Sequence, residues 1–176
     1  EEKMAFLKKL DEIMTNIEDH LVAILLIAMT AITFWGVITR FILNDSSSWA
    51  EEAARYLTIW AVFIGASLGV KKGAHIGVEA FVVALPKRAQ RYIGIVTTVC
   101  CLLFCVAITY VGIEYTQRLM KTGQMSPAMR IPIVFAYAAV PAGCLLMAIR
   151  YLMKLVEQVR GESAADNNQA RADNAI

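Results

Sequence analysis

The groups in this 176-residue chain that could carry chemistry are its cysteines, histidines and carboxylates, and their placement argues against most of it. Cys100, Cys101 and Cys105 cluster in one apolar run, an arrangement that invites thiol–disulfide exchange with a membrane quinone. That reaction needs an exchangeable thiol pair within reach of water. The chain has no CxxC and no loop cysteine, so the thiols read as small hydrophobes, and neither a disulfide framework nor a zinc site is expected. Ion or proton coupling would need carboxylates, histidines or basic groups in the middle of an apolar segment. None is there: Glu114 and Arg55 stand at the ends of such segments, and His20 and His75 flank them. Thr30, Thr33, Ser67, Thr97, Thr98 and Thr109 remain inside, and a hydroxyl in an apolar helix ordinarily bonds its own backbone. No catalytic, cofactor-binding or metal-binding residue is therefore expected.

The elements that hold these residues are membrane helices. At 58% apolar and 18% charged, with a mean hydropathy of +0.55, the chain departs from a soluble domain, which carries about 45–50% apolar and about 25% charged residues. A net charge of +2 is too small to suggest nucleic acid. The apolar residues gather into four spans, at about 21–39, 53–70, 92–113 and 131–149, of lengths suited to a hydrocarbon layer roughly 30 Å thick. The second is the shortest, and Arg55 at its start can snorkel. Leu21–Thr39 is longer than a signal-peptide core and runs into Arg40, Phe41 and Ile42 without a cleavage pattern, so it is expected to stay in the mature chain. The fold class is thus an all-α integral membrane protein with its membrane domain over 20–158. Twelve Lys and Arg fall in the N-terminal, middle and C-terminal segments against five in the other two, which predicts both termini in the cytoplasm.

Between the spans, residues 4–19 carry Leu7, Leu10, Met14 and Ile17 on one helical face and Lys8, Asp11, Glu12 and Thr15 on the other, which predicts an interfacial amphipathic helix on the inner leaflet. The alternative is a cytoplasmic start to the first membrane helix. Gly36 interrupts the first span. Ser48 and Glu51 fit a capping box, with Trp49 at the membrane boundary. Residues 76–85, too few to cross, predict a short interfacial segment ended by Pro86. Gly123, Pro127 and Pro132 suit turns in the second outer loop, and Pro141 should bend the fourth helix. The tail at 161–176 lacks apolar periodicity and is expected to be disordered. Met4 would be a natural start, so Glu1–Lys3 read as additions.

Several side chains are candidates for contact with a partner rather than for chemistry. Gly65 and Gly69 have GxxxG spacing, and Gly143 lies in a small-residue stretch of the fourth span; both features permit close helix approach. Glu51 and Arg55 stand four apart on one helical face, as a local ion pair or as a contact with another subunit. Lys71, Lys72 and His75 form a positive inner flank that also suits phospholipid headgroups or a subunit contact.

The stretch WAEEAARYLTIWAVFIGASLGVKKGAHIGVE, from Trp49 to Glu79, resembles the central signature of the small membrane subunit of tripartite ATP-independent periplasmic (TRAP) transporters, the DctQ-like family. The likeness continues through GQMSPAMRIP and YAAVPAG and covers roughly residues 18–158. The family's tryptophan, acidic pair and arginine fall on Trp49, Glu51, Glu52 and Arg55; its small-residue step and basic-histidine end on Gly65, Ala66, Lys71 and His75; its later features on Ser126, Pro127, Pro141 and Gly143. The resemblance implies an accessory subunit that braces a much larger sodium-coupled membrane subunit, to which a periplasmic binding protein transiently delivers an organic acid such as a C4-dicarboxylate or sialic acid. It also implies the bacterial inner membrane. A four-helix redox or quinone-linked subunit is the alternative from a different class, and a self-sufficient small exporter is a third. Single cysteines at Ser47, Gly73 and Gly123 should label outside, inside and outside with an impermeant maleimide. Outside labelling at Gly73 would overturn this topology.

Overall fold

The computed structural model describes residues 2–45, 47–71 and 87–160; Lys72, His75, the segment at 76–85 and the tail at 161–176 lie outside the described residues. Among the described residues five helices follow in order: α1 (Glu2–Phe41), α2 (Ser48–Lys71), α3 (Lys87–Thr122), the short α4 (Val134–Tyr137) and α5 (Ala139–Arg160). Among the described residues four stretches are long and apolar enough to cross a membrane, Asp11–Phe41, Ser48–Lys71, Tyr92–Thr122 and Val134–Gln158. The 31-residue stretches are about 46 Å long at about 1.5 Å per residue, more than the roughly 30 Å hydrocarbon layer requires.

Helix boundaries differ from the expected spans where charge was used to end them. The amphipathic stretch 4–19 is not a separate element, because α1 runs unbroken for 40 residues. No glycine or proline stands between it and the apolar run, so nothing interrupts the backbone hydrogen bonds there. Gly36 does not interrupt α1 either; it lies against α2, where an added Cβ would rest 3.6 Å from Ala50 Cβ. The last apolar stretch passes Arg150 and continues to Gln158, since that arginine is neutralised inside the protein. Ser48 lies within the first turn of α2 instead of capping it, and the carbonyl of Ser47 accepts the Ala50 N–H at 3.1 Å.

Turn chemistry closes the helices at one end of the molecule, the loop end. Asn44 turns the chain after α1 with φ +51°, a left-handed conformation that asparagine tolerates, and the Asp45 N–H donates to Thr39 O at 3.0 Å. Gly123, at φ +61°, ends α3 while its N–H returns to Leu119 O at 3.1 Å. Pro141 breaks the last membrane segment into α4 and α5 at Ala138, because its ring crowds the carbonyl four residues earlier, on Tyr137. The indole N–H of Trp60 donates to the Phe135 carbonyl at 2.9 Å, so this irregular backbone stays satisfied.

The long helices stand in an open row: α1 packs on α2, α2 on α5, and α5 on α3. Small residues line the crossings, including Ala50, Ala53, Ala61, Ala136, Ala139, Ala148 and Cys144, all buried. Bulky apolar side chains such as Phe34, Phe104, Tyr110 and Phe135 point outward. This inverts a soluble core and fits a protein whose solvent is lipid, where close backbone approach drives helix association. The tightest approach is at Gly143 of α5, where an added Cβ would lie 2.5 Å from Phe63 Cβ and 3.0 Å from its carbonyl carbon. At Gly65 an added Cβ would meet nothing within 4 Å. Gly143→Ala should therefore force α2 and α5 apart and cost about 1–3 kcal/mol. Gly65→Ala should leave the isolated chain unchanged or stabilise it by up to about 1 kcal/mol. Thermal unfolding of both variants in detergent tests the contrast.

Candidate functional site

At the loop end, Glu52 in the second turn of α2 organises the segment between α3 and α4. Its carboxylate is buried and accepts the backbone N–H groups of Ala128 at 2.9 Å and Met129 at 3.0 Å, together with the Tyr56 hydroxyl. Ser126, also buried, accepts the Met129 N–H on its hydroxyl at 3.2 Å and donates its own N–H to Ile131 O at 2.8 Å. The loop is thereby tied to α2 through charge-assisted hydrogen bonds, which are stronger than neutral ones.

A cleft of about 550 Å³ opens beside this tie, between α2, α4 and α5. Ile59, Phe63, Ile133, Ala136 and Val140 give it apolar walls, and Ser48, Glu51, Glu52 and Tyr56 line it as well. Arg55 stands in the same lining and is exposed.

At the opposite end, where both α1 and α5 reach their chain termini, a polar network joins three helices. The Arg150 side chain is 2% exposed and that of Glu18 is 5% exposed, so both need partners within the protein. Arg150 donates from Nε to Ser67 Oγ at 2.9 Å, from one terminal nitrogen to Asp11 at 2.9 Å, and from the other to Glu18 and Thr15. Ser67, fully buried in α2, donates to the second Glu18 oxygen at 3.1 Å. Lys71 completes the set, 2.7 Å from Asp11 and 2.6 Å from Thr15. Two cations face two carboxylates, so the group is neutral as a whole. On α1, the polar side faces inward while Ile13, Ile17 and Leu21 are exposed.

The candidate residues scatter across this framework. Trp49 is half exposed at the start of α2. Glu51 does not pair with Arg55; its carboxylate lies 3.9 Å from Arg40 of α1. Glu52, Arg55, Ser126 and Pro127 come together around the cleft and its loop, with Pro127 in the lining. Gly65 and Gly69 stand on α2, away from that group, and Lys71 belongs to the network. Pro141 packs on α3, where an added Cβ on Gly112 would come within 3.1 Å of it. The network itself was missed, since Asp11, Thr15, Glu18 and Arg150 read as a polar face and a basic flank. The signal lay in Ser67, a hydroxyl in the last turns of the second span that bonds another helix, unlike Thr30, Thr33, Thr98 and Thr109, which bond their own.

The architecture defines a multi-pass helical membrane protein whose buried charged side chains, among the described residues, are each satisfied by its own groups. The chain belongs to the DctQ component family of tripartite ATP-independent periplasmic transporters, whose model matches residues 29–161. It is 27% identical to the C4-dicarboxylate TRAP transporter small permease protein DctQ of Vibrio cholerae, over 96% of this chain and 85% of that protein. It is 30% identical to the sialic acid TRAP transporter small permease protein SiaQ of the same organism, over 85% of each. It is 31% identical to the isethionate TRAP transporter permease protein DctMQ of Oleidesulfovibrio alaskensis, over 67% of this chain but only 19% of that protein. The chain is accordingly a transporter component and not an enzyme, which sets aside the redox reading.

Removing one side of the buried pair leaves a charge without its partner, at about 3–5 kcal/mol. Arg150→Met should cost about that much in detergent. Arg150→Met combined with Glu18→Met should recover most of the loss, and a double-mutant cycle from thermal unfolding measures the coupling. Additive losses would show that Arg150 and Glu18 act independently.

Proposed function

We propose that this chain is the non-transporting scaffold subunit of a sodium-coupled TRAP transporter for an organic acid, a C4-dicarboxylate or sialic acid, in the bacterial inner membrane. Its partners are a large membrane subunit, which carries substrate and sodium, and a periplasmic binding protein that docks transiently. Both termini face the cytoplasm, and phospholipids cover the remaining apolar surface.

The observation that carries this reading is the commitment of the buried charges. Glu18, Glu52 and Arg150 are the buried charged side chains among the described residues, and each is held by groups of this chain. None is left to hold an ion or an anionic solute, so the carrying chemistry belongs to another polypeptide. The printed names of the C4-dicarboxylate and sialic acid relatives support the substrate class. The DctMQ relative, in which a chain like this one matches a minor part, supports a large membrane partner.

Co-expression with the large membrane protein encoded beside it tests the proposal. The two should purify together in mild detergent, and proteoliposomes containing both should take up substrate in a sodium-dependent manner when the binding protein is added. Leaving out this chain should lower uptake at least tenfold, and this chain alone should give none. Independent purification together with undiminished uptake in its absence would refute the scaffold role.

A further inference from the structure

We propose that a second groove, between α1 and α2 at the loop end, binds one phosphatidylethanolamine, with the lipid phosphate on Arg40 and Ser47 and its ammonium on Glu51. The proposal rests on the membrane-spanning fold and not on the scaffold reading. The groove has a volume of about 180 Å³. Ile32, Gly36, Val37 and Phe41 of α1 and Ala50 and Ala54 of α2 give it an apolar lining. Its polar members are Thr33, whose hydroxyl donates to Met29 O of its own helix, and Arg40, Ser47 and Glu51. A helix 10–12 Å across does not enter so small a space, whereas a single acyl chain does.

Height and charge select the occupant. Arg40 stands in the last turn of the first span and Glu51 in the first turn of the second, so the two mark the membrane boundary. Phe41, Ile42 and Leu43 follow Arg40 and are exposed, as an edge facing lipid requires. Arg40 and Glu51 lie 3.9 Å apart, beyond hydrogen-bond length, and their side chains are 65% and 66% exposed, so each keeps its bonding groups free. Ser47 Oγ is buried and has no hydrogen-bond partner among the described residues. Buried hydroxyls are ordinarily bonded, so this one marks where an oxygen of a ligand belongs. A cation, an anion and an unpaired hydroxyl around one apolar groove match a zwitterionic headgroup. The guanidinium holds the phosphate through two hydrogen bonds, and the carboxylate accepts from the ammonium. Phosphatidylglycerol would leave Glu51 facing a second anion, and phosphatidylcholine would bring it a cation with no N–H to donate. A protein helix would have to supply both charges at the same spacing, and the lipid carries both in one headgroup.

The test titrates the purified full-length chain in detergent with phosphatidylethanolamine, phosphatidylglycerol and phosphatidylcholine of matched acyl chains, and native mass spectrometry counts the lipid retained. Wild type should hold one phosphatidylethanolamine about tenfold more strongly than either of the others. Arg40→Gln should weaken that retention about tenfold, and Ser47→Ala about threefold. Glu51→Gln should bring phosphatidylethanolamine and phosphatidylglycerol within about threefold of each other. Lys121→Gln, on α3 outside the groove, should change nothing. Unfolding temperatures equal to wild type establish that the variants fold. Equal retention of the three lipids by wild type, the behaviour of a boundary lipid only, would overturn the proposal, as would undiminished retention by Arg40→Gln. So would a co-expressed pair in which the large subunit displaces the lipid and is itself lost with Arg40→Gln. None of these outcomes refutes the scaffold role, which the uptake assay decides.

Discussion

Arg150 is the group on which the order of the helices depends. A buried guanidinium carries five N–H donors and a charge that lipid cannot solvate, so its position is tolerable only where acceptors converge. Here they come from two other helices: Asp11, Thr15 and Glu18 on α1 and Ser67 on α2. Among the described helices α1 has α2 as its one extensive backbone contact, and apolar packing in lipid gives that contact little preference for one rotation of α1 over another. The arginine supplies the preference. It turns one face of α1 inward and leaves Ile13, Ile17 and Leu21 on the outside.

The two ends of the row use the same device in different ways. At the terminal end, side chains of three helices meet one another and cancel charge. At the loop end, the Glu52 carboxylate meets backbone amides and so fixes the path of a connection, not the rotation of a helix. Between the two ends alanine, glycine and cysteine let the helices approach, and Phe63, Ile64, Leu68 and Tyr151 fill the space beside them. Specific geometry in this protein therefore resides in a small number of polar contacts, and the apolar interior transmits it.

Four crossings, the turns at Gly123 and the break caused by Pro141 were legible in the sequence because each rests on a local property: apolar length, a glycine conformation, a proline ring. The candidate site was legible only as a set of residue types. Glu51 and Arg55 have the spacing of a pair on one helix, yet Arg40, fifteen residues upstream of Arg55, comes closer to Glu51 once α1 and α2 pack. Helix ends were misplaced for the same reason. Glu18 and Arg150 look like the limits of an apolar span when each is weighed alone, and they cease to be limits when paired. Pairing across 132 positions is a tertiary fact that no window of sequence contains.

That separation bears on how the protein is made. The acids of the network lie on α1 and their main cation lies on α5, 132 and 139 residues later, so the cation is made after the acids. Until α5 has entered the membrane, Asp11 has Lys71 and Glu18 has the Ser67 hydroxyl, both from α2, and the buried Glu18 lacks its cation. Insertion of α5 thus settles α1, so that a chain cut before α5 differs from one that contains it by a Glu18 without its arginine.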